Sequence, residues 1–225
     1  MIKQNIYFIA LSFLFLLSCR NKTENSFPNL NTDPLVERLK QNNISYYLKT
    51  KMWKDTIVGI DSIKLNSDGY ITYKRGWETQ RFVYDSINRI IEEEYHSDIH
   101  YHIKNIRYRL DRKKNQVQKN SENSILQVYN FDKSYKHLLN SFVIESKDTV
   151  KHISYFYKNG KISKVSEDYI LEKYIQNKVY LYDKNNKLKT IIENGETEYI
   201  SPKTGLIDSS LRMGHISYYK YFKRK

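Results

Sequence analysis

His96, Asp98, His100 and His102, spaced by two, are the residues of this chain best suited by type to hold a metal. On one continuous strand all four share a face, with Ile99, Tyr101 and Ile103 on the other. His100 and His102 then chelate a divalent cation with His96 or Asp98 as third ligand, which would suit a metal-dependent hydrolase. Ser97-Asp98 also reads as a turn, which breaks that register and leaves an ordinary solvent-facing surface. Upstream, only Glu92 and Glu94 of the Glu92-Glu93-Glu94 run share a face. Paired carboxylates do acid–base work where a cleft separates their pKa values; an exposed acidic edge that discourages sheet-to-sheet pairing is the simpler expectation. No glycine pair frames a serine as a nucleophile elbow, and a chain with seven glycines has no phosphate-cradling loop. The residues therefore predict a protein that is not an enzyme and that needs no cofactor.

The one remaining reactive side chain is Cys19, the only cysteine. It follows an apolar run, Ile6 to Leu17, preceded by Lys3, which is the layout of an export signal. Leu16-Leu17-Ser18-Cys19 resembles the lipobox of bacterial lipoproteins. That resemblance implies cleavage after Ser18, a thioether-linked diacylglycerol on Cys19 and acylation of the new amino terminus. The competing readings are a secretory peptide cleaved elsewhere and an uncleaved signal anchor, with Cys19 incidental. If Cys19 is lipidated, no thiol is left for a disulfide, a thiolate metal site or a nucleophile. Two or three acyl chains make such an anchor effectively permanent.

Removing residues 1–18 leaves 207 residues and a formal charge of +12, against +13 for the whole chain. That length supports a substantial core. Nucleic acid is excluded as the natural partner of an exported protein, whereas an anionic lipid or polysaccharide surface suits the charge. A competing explanation is solubility in a chain rich in Lys, Asn, Ile and Tyr. Residues 19–32 are polar and aperiodic and read as a tether, leaving 33–225 as the folded domain. Asp33-Pro34 starts a short helix, an N-cap followed by proline at the first helical position, with Leu35, Val36 and Leu39 as its buried stripe and Asn42-Asn43 as its end.

From Ile44 the apolar period becomes two, and Tyr, Ile, Val and Phe predominate. The turns repeat. Tyr84-Asp85 to Ile90 and Tyr182-Asp183 to Leu188 share a frame with Leu65-Asn66 to Ile71; Leu110-Asp111 and Phe131-Asp132 open turns one residue longer. In each, Asp or Asn caps backbone N–H groups, Gly or Asn takes positive φ, and an aliphatic residue begins the return strand. The Tyr-x-Tyr-Asp-x-x-Asn-Lys/Arg-Leu/Ile pattern resembles the YD repeat of Rhs-type proteins, in which such repeats build long antiparallel sheets that enclose cargo. The predicted fold is mostly β: a single antiparallel, curved multi-hairpin sheet of some thirteen YD-like strands with one short N-terminal helix.

Such a scaffold names no activity. The tyrosine ladders, Tyr84, Tyr155, Tyr157, Tyr180 and Tyr182, can stack on sugar rings or on a partner's apolar side chains, or serve as cross-strand packing pairs. The expected role is a non-catalytic binding or scaffolding module of the cell envelope, held in the membrane by its lipid and meeting an envelope protein or polysaccharide. An immunity or antitoxin-like lipoprotein is the alternative, with the metal-dependent hydrolase at His96–His102 behind it. Arg20 with no acidic cluster behind it resembles sorting signals that direct lipoproteins to the outer membrane of a Gram-negative bacterium.

Overall fold

The structure is a computed structural model that describes residues 27–98, 100–122 and 124–224. Cys19 and the export signal lie outside the described residues. Asp33 caps helix α1 (Pro34–Gln41), its carboxylate accepting from the Leu35 N–H at 2.9 Å. The helix ends at Asn42, whose N–H and amide both return to the Arg38 carbonyl. Leu39 is the buried member of the expected stripe, with Leu35 packed against the main core.

Seventeen strands follow, four more than the turn pattern predicts. The first group is β1 (Ile44–Trp53), β2 (Thr56–Leu65), β3 (Ile71–Arg75), β4 (Thr79–Tyr84), β5 (Ile90–His96) and β6 (Tyr101–Asn105). The second is β7 (Arg107–Asp111), β8 (Gln116–Ser121), β9 (Ser124–Phe131), β10 (Leu138–Glu145), β11 (Asp148–Lys158) and β12 (Lys161–Tyr169). The last is β13 (Tyr174–Tyr182), β14 (Leu188–Glu193), β15 (Glu196–Ile200), β16 (Ile207–Arg212) and β17 (His215–Lys223).

Each strand pairs antiparallel with its chain neighbour, and β17 pairs with β1 from Ile44↔Lys223 to Trp53↔His215. The single antiparallel, curved sheet that the sequence predicts curls into a nearly closed barrel. Its one step lies at β6 and β7, successive halves of a single bent strand. The first half pairs with β5 and the second with β8. Ile106, buried at the bend, donates its N–H to the Ile91 carbonyl at 2.8 Å.

Alternate turns fall at opposite ends, and the two ends differ in turn chemistry. One end, here the near rim, carries the repeat turns and α1. Asn66, Asp85 and Asp183 each accept from two backbone N–H groups, at residues two and four further on. Gly69, Asn88 and Asn186 supply the positive φ that closes each turn. The far rim carries two-residue hairpins at Lys54-Asp55, Ser146-Lys147, Asn194-Gly195 and Met213-Gly214, with both residues at positive φ. That geometry matches the right-handed twist of the flanking strands.

The helix seals the near rim. Lys40 pairs with Asp68 at 2.9 Å, the Asn42 amide reaches the Thr204 carbonyl at 2.9 Å, and Gly69 packs against the helix so closely that a Cβ there would stand 2.5 Å from the Val36 carbonyl oxygen. The end of the expected tether is docked as well: Phe27 and Leu30 pack against a cluster of Val117, Phe131 and Leu138. Inside the barrel a second cluster joins Ile153, Ile162, Val165, Tyr180, Leu188, Ile191, Ile200 and Ile207.

Candidate functional site

Directly opposed residues share a face, so the registers sort every strand into inner and outer side chains. The inner row carries charge, and the charges pair. Lys49 meets Glu196 at 2.8 Å, Lys51 meets Asp61 at 2.8 Å, Lys119 meets Glu93 at 2.6 Å and Lys151 meets Glu167 at 2.9 Å. Lys178 lies 3.2 Å from Glu193 and 4.0 Å from Asp33. Burial works against the Lys49 ammonium, but hydrogen bonds with Glu196 and Tyr219 outweigh it and hold the pKa above the ordinary lysine value. Burial likewise opposes ionisation of Glu196, yet Lys49 and the Ser210 hydroxyl keep its carboxyl below the usual range. Glu198 differs: burial dominates and pushes its pKa up, despite Lys178 and Lys49 nearby.

The five tyrosines named as binding candidates also point inward. Tyr84 donates to the Ile71 carbonyl at 2.7 Å, Tyr157 to Leu138 at 3.1 Å and Tyr182 to Ile162 at 2.8 Å. Burial pushes the Tyr84 hydroxyl up to about 12. Tyr180 is buried in the main cluster, and Tyr155 packs between two clusters. Their rings face the protein's own core rather than a partner. These five therefore fit the cross-strand packing role that the sequence left open beside stacking on a partner.

The histidines do not converge. Ser97 to His100 form a turn, closed by the Ser97 N–H to the His100 carbonyl at 2.8 Å. His96 opposes Tyr101 and His102 opposes Tyr95, which puts His96 and His102 on opposite faces. Among the described residues no cluster of His, Cys, Asp and Glu could hold a metal ion. Glu92 and Glu94 face outward on β5, but β4 and β6 flank that strand, so it guards no edge.

What the sequence reading missed is how the two rims divide the remaining surface. The near-rim turns contain nine Lys and Arg residues against four Asp, among the described residues. The aspartates are engaged locally: Asp85 and Asp183 cap backbone, Asp132 accepts from Ser134 and from the Lys136 N–H, and Asp68 binds Lys40. The lysines at the turn tips, Lys113, Lys133, Lys184 and Lys203, are exposed. The far-rim turns invert the balance, with three Lys against five Asp and Glu.

The far rim is also where large apolar side chains meet solvent. Trp77 is 88% exposed, Met213 82% and Leu171 68%, each at a turn tip, with Ile57, Tyr101 and Ile175 beside them. From that rim an uncharged band runs down the outside. One outer row passes Val179, Ile192, Thr197, Leu211, Ile216 and Met52 in continuous register across β13 to β1. The next row passes Leu181, Thr190, Tyr199, Ser209, Tyr218, Thr50 and Ile60. The opposite wall is charged, with Arg81, Glu92, Glu94, Arg107 and Arg109 on the outer face of β4 to β7. Trp53 stacks on His215 with ring centroids 4.1 Å apart where band and rim join.

No protein-family model matches the chain. No curated protein matches it either. Among solved structures, a porin-like protein from Bacteroides uniformis is similar with a TM-score of 0.35 at 10% identity, over 80% of this chain and 98% of that one. A chain of the TcdB2–TccC3–Cdc42 complex is similar with a TM-score of 0.31 at 11% identity, over 74% of this chain and 11% of the other. The registers and the recurring turns themselves make this chain a β-rich repeat protein.

Proposed function

We propose that the protein is a non-catalytic binding module of the cell envelope, built from degenerate YD-like repeats and anchored by a lipid on Cys19. Its partner is a protein that docks on the far rim and the uncharged band. The observation that carries this reading is the gathering of Trp77, Leu171 and Met213 at the rim opposite the N-terminal segment. A segment that leaves the near rim toward a lipid holds the far rim away from the membrane, where a partner reaches it. Met213, Leu171, Ile57 and Ile175 outnumber the flat rings of Trp77 and Tyr101 at that rim and are shaped for a partner's apolar side chains more than for a sugar platform. The paired inner charges and the tyrosines bonded to carbonyls support a scaffolding role for the interior.

The charged wall argues for a protein held at the membrane rather than one spanning it. Each Arg on a lipid-facing strand costs about 2–4 kcal/mol at mid-bilayer, and Arg81, Arg107 and Arg109 would all face lipid. An outer-membrane location rests on the residues after Cys19.

The test is capture from detergent-solubilised envelopes with a tag at the C-terminus, which lies at the near rim where Arg224 bonds to the Leu65 carbonyl at 3.1 Å. The parent is expected to retain one partner near equal stoichiometry, and a Trp77→Ser/Leu171→Ser/Met213→Ser variant to lose it while staying in the membrane fraction. Equal capture by that variant, or retention of a glycan in place of a protein, overturns the reading.

A further inference from the structure

The near-rim turns hold nine basic residues against four Asp, a net +5, while the far-rim turns hold a net −2, and the near rim is also where the chain leads back toward Cys19. We infer that the near rim is a docking surface for the anionic phospholipid headgroups of the bilayer that holds the anchor. The inference rests on the lipid-anchor reading for its geometry and adds to it a defined orientation. The nine basic residues sit on five of the seven turns at that end of the barrel, so they lie in one layer rather than along the wall. The turn aspartates offset only part of this charge, and their carboxylates are directed at backbone N–H groups within the turn. Capping of this kind directs them at their own turns, while Lys113, Lys133, Lys184 and Lys203 are exposed at the turn tips. The docked segment starts at Phe27, against Val117, Phe131 and Leu138 near the same rim, which leaves residues 20–26 to reach the membrane. Seven residues span at most ~25 Å. A tether that short brings the rim within a Debye length or two of headgroups, where basic residues gain most from negative surface potential. The acidic balance of the far rim adds to the same orientation by repulsion.

The experiment uses the full processed chain, reconstituted into vesicles of phosphatidylcholine alone or mixed with phosphatidylglycerol. Acetylation rates are read by mass spectrometry at Lys113, Lys133, Lys184 and Lys203, with Lys54, Lys147 and Lys173 at the far rim as internal controls. In anionic vesicles the near-rim lysines are expected to react about fivefold more slowly than in zwitterionic ones, with the controls unchanged and the difference erased by high salt. A Lys113→Glu/Lys133→Glu/Lys184→Glu variant, changed only at exposed turn tips, is expected to lose that protection at Lys203, the near-rim reporter it keeps. Equal rates in the two vesicles, or protection at the far rim, overturn the inference. Protection by a soluble anionic polysaccharide as strong as that by vesicles also overturns it, in favour of a glycan. Failure of the anchor reads differently: the chain then does not float with phosphatidylcholine vesicles. If it still floats with anionic ones and shows near-rim protection, the docking surface stands without the anchor.

Discussion

The hydroxyl of Tyr182 donates to the carbonyl of Ile162 at 2.8 Å, joining the last residue before one repeat turn to the start of the return strand of the turn before it. Tyr84 and Ile71, and Tyr157 and Leu138, repeat the relationship. The tyrosine of the repeat is thus a latch between successive hairpins. Each Tyr→Phe change is expected to lower the unfolding free energy by about 0.5–1.5 kcal/mol, leaving the carbonyl without its partner. Tyr84 lies on a separate hairpin, so its loss should add to the others in urea denaturation, whereas Tyr157 and Tyr182 both meet Ile162 and should couple. No loss in any single variant would show that the latch is incidental.

Gly69 combines positive φ with a Cβ direction that meets the Val36 carbonyl oxygen at 2.5 Å. Gly69→Ala is expected to cost about 1–3 kcal/mol and to loosen α1 from the rim. Hydrogen exchange at residues 36–42 would report the loosening. Gly195→Ala is the control, since its Cβ meets nothing within 4 Å although its φ is also positive.

Glu198 holds its proton more tightly in the native barrel than in the unfolded chain, where the ordinary value is 4.5. Its contribution to stability is therefore full below that value and is lost as pH rises through the native pKa. Glu198→Gln is expected to raise the unfolding free energy at pH 7 by about 1 kcal/mol, read from urea denaturation, and to lose the advantage below pH 4.5. Lys49 and Lys178 keep Glu196 and Glu193 in that variant, so no cation is stranded.

Asp85 and Asp132 behave oppositely. Burial disfavours their ionisation, but hydrogen bonds from Arg89 and His137 among others win and hold both carboxyls below the ordinary 3.8. The stability they give is present above that value and drains away as pH falls through the native values. Asp85→Ala should cost about 1–2 kcal/mol at pH 7 and progressively less in acid. A constant difference across the acid range would mean that its charge plays no part.

Cys19→Ala is expected to move the protein from the membrane to the soluble fraction. If the variant fractionates with the parent, the anchor is something other than a lipid on Cys19.

Much of this architecture was legible because it is local. Asp33-Pro34 and Asn42 bound a helix through capping chemistry that any surroundings would respect. The recurring Asp and Asn turns could be placed because each carries its own hydrogen-bond partners within five residues. Closure was not legible: nothing in residues 44–53 announces that residues 215–223 lie beside them. The direction of Tyr180 and Tyr182 was lost for a related reason, since alternation gives two faces and only the curl decides which is inside. The rims were closer to view than they looked. Trp77, Leu171 and Met213 occupy turns where Asn, Gly or Asp is usual, and sorting turns by parity along the chain separates the lysine-rich set from the acidic one.

The pairing of β1 with β17 makes the order of synthesis matter. A stacked solenoid gains stability unit by unit and tolerates loss of its last repeat. Here the first strand waits for the last, so a nascent chain carries two long unpaired edges until residues 215–223 have emerged. Truncation near the C-terminus would therefore leave an aggregation-prone ribbon rather than a smaller version of the same protein. The same contact sets a high contact order and slow folding. It also places the two ends of the ring side by side, with Ile44 opposite Lys223.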